Sequence, residues 1–593
     1  MLAAILILLS SFVRMLEPKI LEVTIDVFNQ YINKNFQYNA DSDFISKGIY
    51  NLLPEFTVGN FTNVLFYIAA IFLVISLCKA FFGFYGGVIR TSATEQAIKK
   101  LRNKLFSHIQ LLPIGYHDKN KSGELIQRST GDVDTIKQFV SNVIIDFVRL
   151  IGVFGASFYF MFIIHPLYAF IAISITPIIF ITSYLFFIKK KKLWKEHEEE
   201  ADKLTSIVSE NISGIRVVQA FAQEKEEIRK FETQNFAKYK AGIKNVTIET
   251  LFWPFSDLLV HCQVVISVFA GGYFALMGEI TVGEMVAFLT YSMMVTWPMQ
   301  RLGRMVSDIG MAIIAINRIN EILDTKVEED YGLDNESEGD GVFQSLEFEN
   351  VCFNYPDEKP IVNDLSFKIN AGDNLAIVGP AGSGKSTLIK LLLRFYEPTS
   401  GAIYLNGENI KNISKTTLRK FCGVVFQNSF LFSETIKNNI AYTKPKSSDE
   451  EVINVASVAS IHDVMHIFPQ GYDTYVGEKG VSLSGGQKQR VSLSRTLLEN
   501  APLLIMDDAT SAVDTETEHN IQNRLKEFST ANSTIVIAHR ITSIKNCNKI
   551  LVLKEGEKDA FGTSKELIKT NPFYQKMNDI QLVLETEIKA SGN

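Results

Sequence analysis

The chain has 593 residues and a net charge of −6, from 59 basic and 65 acidic side chains. That length exceeds one domain, and the near-balanced charge leaves no basic footprint for nucleic acid. The 47% hydrophobic content is ordinary as an average, but it is unevenly distributed.

Apolar stretches approaching the ~20 residues of a bilayer crossing occur at Phe61–Leu77, Phe139–Ile164, Leu167–Ile188, Leu258–Leu276 and Val282–Trp297. Nothing comparable follows residue 325. The split predicts a membrane domain over residues 1–325 and a soluble domain over 344–587. An acidic, Gly/Asp/Glu-rich linker at 326–343 joins them. The first apolar run, Met1–Val13, is shorter. Arg14, Glu17 and Lys19 end it after about 20 Å of helix, short of the roughly 30 Å hydrocarbon core. It lacks a basic leader and a small-residue cleavage site, so it does not read as a signal peptide. A start internal to the native reading frame is the favoured account, with a tilted helix as the alternative.

Basic residues collect after two of the runs, at Arg90, Lys99, Lys100, Arg102 and Lys104 and at Lys189–Lys192 and Lys195. The loop at 31–60 has only Lys34 and Lys47, offset by Asp41, Asp43 and Glu55. Basic segments stay in the cytosol, so this loop is expected outside. Arg90–Gly115 and Glu196–Asn245 are charged, with few Pro or Gly, and predict helices that continue past the membrane. Near the inner leaflet, Asp257 and His261 share one helix face and Arg301 and Arg304 another. They either line an inward cavity, with an Asp257–Arg304 contact, or lie in water beyond the hydrocarbon. Met293, Met294 and Met299 offer either an adaptable cargo surface or ordinary packing. The five cysteines have no paired or metal-like spacing and read as packing residues without a disulfide.

In the second half, the apolar strand Leu375–Val378 leads into G-P-A-G-S-G-K-S-T, and a helix is expected over Ser386–Phe395. Gly379, Pro380, Ala381, Gly382, Ser383, Gly384, Lys385, Ser386 and Thr387 thus form a phosphate-binding loop. Its glycines let backbone amides turn inward, Lys385 supplies a point charge, and Ser386 offers a hydroxyl to Mg²⁺. The helix N-terminus adds partial positive charge. Tyr355, upstream, is placed to stack on a base. Gln427 follows the run Val424–Phe426. The strand Leu503–Met506 ends in Asp507 and Asp508, where a carboxylate can hold Mg²⁺ through water. Another strand, Thr534–Ala538, ends in His539. A second phosphate-reading element, L-S-G-G-Q, lies at Leu483–Gln487.

This order of motifs resembles the nucleotide-binding domain of ABC transporters over Ser345–Leu584. The resemblance assigns Tyr355 to the adenine, Gly379–Thr387 to the Walker A loop and Gln427 to the Q-loop. Asp507 becomes the Walker B aspartate, Ala509–Asp514 the D-loop and His539 the switch histidine. It implies ATP and Mg²⁺ as cofactors, with the metal held by Ser386, Gln427 and Asp507. Lys385, Gln427, Asp508 and His539 are the implied catalytic set. Ser484, Gly485, Gly486 and Gln487 match the signature motif, which closes over ATP held by a second half-transporter subunit, identical or different.

Tyr475–Gly480, Ser122–Asp134 and Ser209–Phe221 resemble type IV ABC exporters, with coupling helices near Tyr116–Gly123 and Asn211–Arg216. The implied fold is an all-α six-helix membrane domain fused to an α/β P-loop domain. The implied function is ATP-driven export or flipping of a lipid, drug or other amphipathic substrate across the cytoplasmic membrane by alternating access. A gated channel would need a regulatory insertion, which the sequence lacks. One position departs from the family. Most relatives carry Glu where this chain has Asp508, shorter by one C–C bond of about 1.5 Å. Asp there is a feature of heterodimeric exporters with one degenerate site, whereas the retained His539 fits a slow homodimer.

Overall fold

The structure, a computed structural model, describes residues 2–33, 44–53, 61–329, 341–356, 359–528, 533–538, 540, 544 and 547–580. Most of the expected linker and His539 lie outside the described residues. The chain divides into two compact units. One comprises Met1–Leu111 and Asn120–Thr325, the other Leu112–Lys119 and Lys326–Asn593.

The helices up to Thr325 are α1 (Leu2–Arg14), α2 (Leu16–Asn33), α3 (Phe44–Asn51), α4 (Phe61–Gln110) and α5 (Ile114–Lys119). There follow α6 (Ser122–Ile164), α7 (Pro166–Ala172), α8 (Thr176–Ser213), α9 (Ile215–Ala220), α10 (Glu224–Leu276) and α11 (Val282–Asp324). By length and composition α4, α6, α10 and the combined α7–α8 helix can each cross a membrane. With 50 residues, α4 is about 75 Å long at 1.5 Å per residue. That is more than twice the hydrocarbon thickness, so the helix must continue into water.

In this unit large apolar side chains face outward and several polar ones are buried. Phe66, Leu73, Phe84 and Phe269 are exposed, while Ser256, Gln263, Ser267 and Gln300 are buried. Lipid tails solvate apolar side chains, leaving interhelical hydrogen bonds as glue. Gln263 Nε2 donates to Ser292 Oγ (2.9 Å) and Thr296 Oγ1 (3.2 Å), and Gln300 Nε2 to Ser256 Oγ (2.8 Å), tying α10 to α11. Tyr168 Oη donates to the Ser267 carbonyl at 2.7 Å, tying α7 to α10.

The charges that end the first apolar run do not take the chain out of this bundle. The helix breaks at Met15 and resumes as α2. Lys19 is fully buried and pairs with Glu22 at 2.7 Å, and Glu22 also accepts from Ser46 Oγ at 2.8 Å. Asp26 accepts from Thr281 Oγ1 (2.8 Å) and the Gly283 amide (3.0 Å) at the start of α11. Glu17 pairs with Lys79. A Cβ at Gly283 would stand 2.3 Å from the Glu22 carbonyl oxygen, so only glycine permits this approach. Removing one member of a buried pair costs about 3–5 kcal/mol, whereas replacing both with apolar groups is close to neutral. Lys19→Met is therefore expected to lower the melting temperature of the detergent-solubilised protein, and Lys19→Met with Glu22→Leu to recover most of the loss. An unchanged melting temperature in the single variant would refute this account.

The second unit is built on two sheets. Its strands are β1 (Ser345–Phe353), β2 (Val362–Asn370), β3 (Asn374–Val378), β4 (Ser400–Leu405), β5 (Glu408–Asn409), β6 (Cys422–Val425), β7 (Leu503–Asp507), β8 (Ser533–Ile537), β9 (Lys549–Lys554) and β10 (Glu557–Gly562). A four-stranded antiparallel sheet runs β2-β1-β4-β5 and a six-stranded sheet runs β10-β9-β3-β8-β7-β6. The latter is parallel except for its β10 edge. Its two faces enter different cores. Leu375 and Ile377 point into one, Ala376 and Val378 into the other. Such strands must be apolar throughout, which is why Leu375–Val378 and Leu503–Met506 are readable as uninterrupted runs.

Candidate functional site

In parallel sheets, ligands gather at the C-terminal strand ends. Here β3, β8 and β7 are neighbours in register, with Ile377 opposite Ile537 and Ile537 opposite Asp507. The phosphate-loop candidate therefore leaves β3 beside the aspartates at the end of β7. Helix α12 (Lys385–Leu392) opens at the end of the loop. Gly379 is obligatory, because a Cβ there would lie 2.3 Å from the Leu553 carbonyl. Gly384 has φ of 95° and turns the chain into the helix. Lys385 Nζ donates to the carbonyls of Gly379 (2.9 Å) and Pro380 (2.8 Å), folding over the loop. Burial pushes the Lys385 pKa down, and the carboxylates of Asp507 and Asp508 pull it the other way.

The buried Ser383 hydroxyl has no hydrogen-bond partner among the described residues. An orphaned donor, an ammonium and a helix N-terminus together fit an anionic, phosphate-like group. Ser386 is exposed at the start of α12, while Asp507 is buried at the end of β7. These oxygen donors suit a hard cation such as Mg²⁺. Asp508 has φ of 50° and its amide donates to the Ile537 carbonyl at 2.9 Å. Gln427, just past β6, points its Nε2 at Asp508 Oδ2 over 3.4 Å. Lys385, Gln427, Asp507 and Asp508 are thus collected at one sheet end. Tyr355 is half-buried and edge-on to Phe353, ring centroids 4.9 Å apart.

Ser484 is the N-cap of α13 (Gly485–Glu499), in a reciprocal capping box. Its hydroxyl accepts from the Gln487 amide (3.3 Å), and Gln487 Oε1 accepts from the Ser484 amide (2.8 Å). The motif's serine and glutamine thereby fix the helix start that presents Gly485 and Gly486. Sequence reasoning missed Gln489. It is buried, its Nε2 donates to Ser511 Oγ (3.0 Å), and its Oε1 accepts from the Ala512 amide (2.9 Å). It therefore ties the signature helix to the loop after Asp508. The available signal was a second glutamine two residues after Gln487, in the first turns of the same helix.

The region expected to hold the first coupling helix, Tyr116–Gly123, overlaps α5, which belongs to the second unit. There Tyr396 Oη donates to Asp118 Oδ2 at 2.6 Å. In the second coupling region α8 ends at Ser213, Gly214 makes the turn, and α9 follows, with Ile212, Val217 and Phe221 exposed. In the described part of the segment expected to be a linker, Glu328 pairs with Arg419 (2.8 Å) and Lys415 (3.3 Å). Arg304 Nε lies 4.0 Å from Asp308 Oδ2, and the expected Asp257–Arg304 contact is not among the ion pairs of the described residues. His261 Nδ1 instead lies 2.7 Å from the Asp257 carbonyl. The side chain of Arg301 lies outside the described residues. The cysteines are free.

Comparison with known proteins agrees with this geometry. The family model for the ABC transporter transmembrane region matches residues 1–299, and the ABC transporter model matches residues 362–511. This chain belongs to the ABC transporter family. The ATP-dependent lipid A-core flippase of Syntrophus aciditrophicus is 33% identical over 86% of this chain and 84% of its own length. The putative multidrug export protein YgaD of Bacillus subtilis is 34% identical over 88% of this chain and 91% of its own. A bacterial Atm1-family ABC exporter solved with ATP bound superposes with a TM-score of 0.78 at 26% identity, covering 98% of this chain and 97% of that one. The protein is an ABC exporter half, a multi-pass inner-membrane protein whose nucleotide-binding domain is a cytosolic ATPase. Being a half-transporter, it works as a dimer.

Proposed function

We propose that this ABC exporter moves an anionic amphipath, a lipid or drug with a phosphate or carboxylate group, out of the cytoplasmic leaflet by alternating access. The observation that carries this reading is a cavity of about 400 Å³ in the membrane domain, lined by Arg14, Lys79, Arg90 and Arg149 with Glu17 as its only acid. Glu17 pairs with Lys79 and Arg149 lies 3.5 Å from Asp146, which leaves the guanidinium groups of Arg14 and Arg90 in excess. The Nε of Arg90 is buried without a partner among the described residues. Basic pockets between helices on the cytoplasmic side suit anionic head groups. An adjoining cavity of about 210 Å³ adds an apolar wall of Leu150, Val153, Met293 and Met294 beside Arg14 and the Arg149–Asp146 pair, suited to an acyl chain or ring system. Lipid A-core and multidrug relatives are in keeping with such a cargo.

In the ATPase site, Lys385 and the loop amides hold the phosphates, and Tyr355 stacks on adenine. Ser386, Gln427 and Asp507 would hold Mg²⁺, which when bound neutralises charge on the phosphate oxygens. Asp508 and His539 orient the attacking water. The Ser484–Gln487 segment of the second subunit completes the site, and α5 and the α8–α9 turn convey its closure to the membrane helices.

The test is ATPase stimulation of protein reconstituted in zwitterionic lipid. Anionic amphipaths are expected to stimulate, and Arg149→Ala to raise the half-stimulating concentration about tenfold or more, the scale of a lost charge-assisted hydrogen bond. Equal stimulation by cationic drugs in the wild type and the variant would overturn the charge assignment.

A further inference from the structure

Within the second unit Tyr396 and Lys390 bridge α5 to Tyr355. Tyr396, shortly after α12, places its hydroxyl 2.6 Å from Asp118 Oδ2 on α5. Its ring meets that of Tyr355 edge-on, with centroids 4.9 Å apart and planes at 88°. Lys390 Nζ stands 5.5 Å from the Tyr355 ring centroid, 5.8 Å from that of Tyr396 and 3.6 Å from Asp118 Oδ2. On α5, a Cβ at Gly115 would lie 3.3 Å from Tyr396 Cε1, so this helix packs directly against the ring. Tyr396 is held at its polar end by α5 and along its ring by Tyr355.

We propose that Tyr396 is a positioning residue that carries occupancy of the adenine side of the nucleotide site to α5, by a route separate from Gln427 and Asp508 on the phosphate side. The proposal rests on Tyr355 being the adenine platform. A base stacked on Tyr355 fixes the plane of that ring. An edge-to-face neighbour holds its geometry only within a narrow range, so Tyr396 must follow the plane. Close-packed side chains pass on displacement instead of absorbing it. The hydroxyl bond then delivers the shift to Asp118. Lys390, over both rings and beside the carboxylate, keeps the three groups together in either position.

The chain supplies its own reporter. Its three tryptophans, Trp194, Trp253 and Trp297, lie in α8, α10 and α11, and the ATPase domain has none. The change in tryptophan emission when Mg-ATP is added to the full-length reconstituted protein therefore reads the membrane helices alone. Tyr396→Phe keeps the ring and loses the bond to Asp118. It is expected to lose most of the emission change while its half-saturating ATP concentration stays within about twofold of wild type. Asp118→Ala is expected to do the same, and the double variant to do no worse than either single, as for two ends of one contact. Tyr396→Leu also removes the ring pair and should raise the half-saturating ATP concentration roughly two- to tenfold, the range of an aromatic contact. A full emission change in Tyr396→Phe and Asp118→Ala, or no ATP-dependent change in the wild type, overturns the proposal. The platform is tested separately. If Tyr355→Leu leaves ATP affinity unaltered, the assignment of Tyr355 to adenine fails, whatever the Tyr396 variants do.

Discussion

Lys385→Ala is expected to reduce phosphate release to background and to stop transport. The ammonium already folds over the loop, 2.9 Å from the Gly379 carbonyl, where it is poised to exchange carbonyl oxygens for phosphate oxygens. In the folded site it is 7% exposed, and its charge acts in a poorly screened environment. Removing one preorganised donor to developing negative charge costs about 10²–10³ in turnover. A full positive charge between the phosphates and the Asp507–Asp508 pair should lie at or beyond the upper end of that range. Phosphate release and nucleotide binding should be measured together on the reconstituted variant. Turnover within an order of magnitude of wild type would remove Lys385 from the catalytic set.

What the sequence discloses and what it hides divide along the range of the interactions involved. The strands β3, β7 and β8 are legible because a parallel strand buried on both faces must be apolar at every position. The phosphate loop is legible because its glycines and lysine act within nine consecutive residues, Gly379–Thr387. The break at Met15 and the continuation as α2 are not. Lys19 and Glu22 are near in sequence, but the groups that complete the burial of α2's carboxylates are far away: Ser46 on α3 for Glu22, and Thr281 and Gly283 before and within α11 for Asp26. Read locally, Arg14, Glu17 and Lys19 look like the end of a span. Paired with Glu22 on its own helix, Lys19 becomes part of the bundle's interior, and Glu17 is tied to Lys79 on α4. The allocation of Leu112–Lys119 to the ATPase unit is hidden in the same way, since Asp118 meets Tyr396 across 278 positions. Gln489 was overlooked because a buried amide bridging a helix to a loop leaves no periodic trace.

Asp508→Glu is expected to raise the ATPase rate of the purified chain by about 10²-fold if the present carboxylate misplaces the attacking water, the cost of an error near 1 Å. The geometry favours such an error. Asp508 stands at the end of β7, fixed by its amide bond to Ile537, so the backbone cannot advance to make up for a side chain short by about 1.5 Å. Its bond from Gln427 is long, at 3.4 Å. The longer side chain carries a modest penalty, because φ of 50° lies in the left-handed region, where Asp is better tolerated than Glu. A small loss of melting temperature should accompany the gain in rate. Asp508→Asn, which removes the base while keeping its size, separates the two effects by lowering turnover without relieving the backbone. Rates should be measured on the chain purified alone, with its oligomeric state determined in parallel. A wild-type homodimer that already hydrolyses ATP at about 1 s⁻¹ or faster, an ordinary enzymatic rate, would show that Asp508 is competent as it stands. A slow wild type that Asp508→Glu accelerates places the defect in this one side chain. If both are slow, the productive site is the one this chain's Ser484–Gln487 segment completes on a different half-transporter, and mixing with that partner should restore turnover even when Asp508 is replaced by Asn.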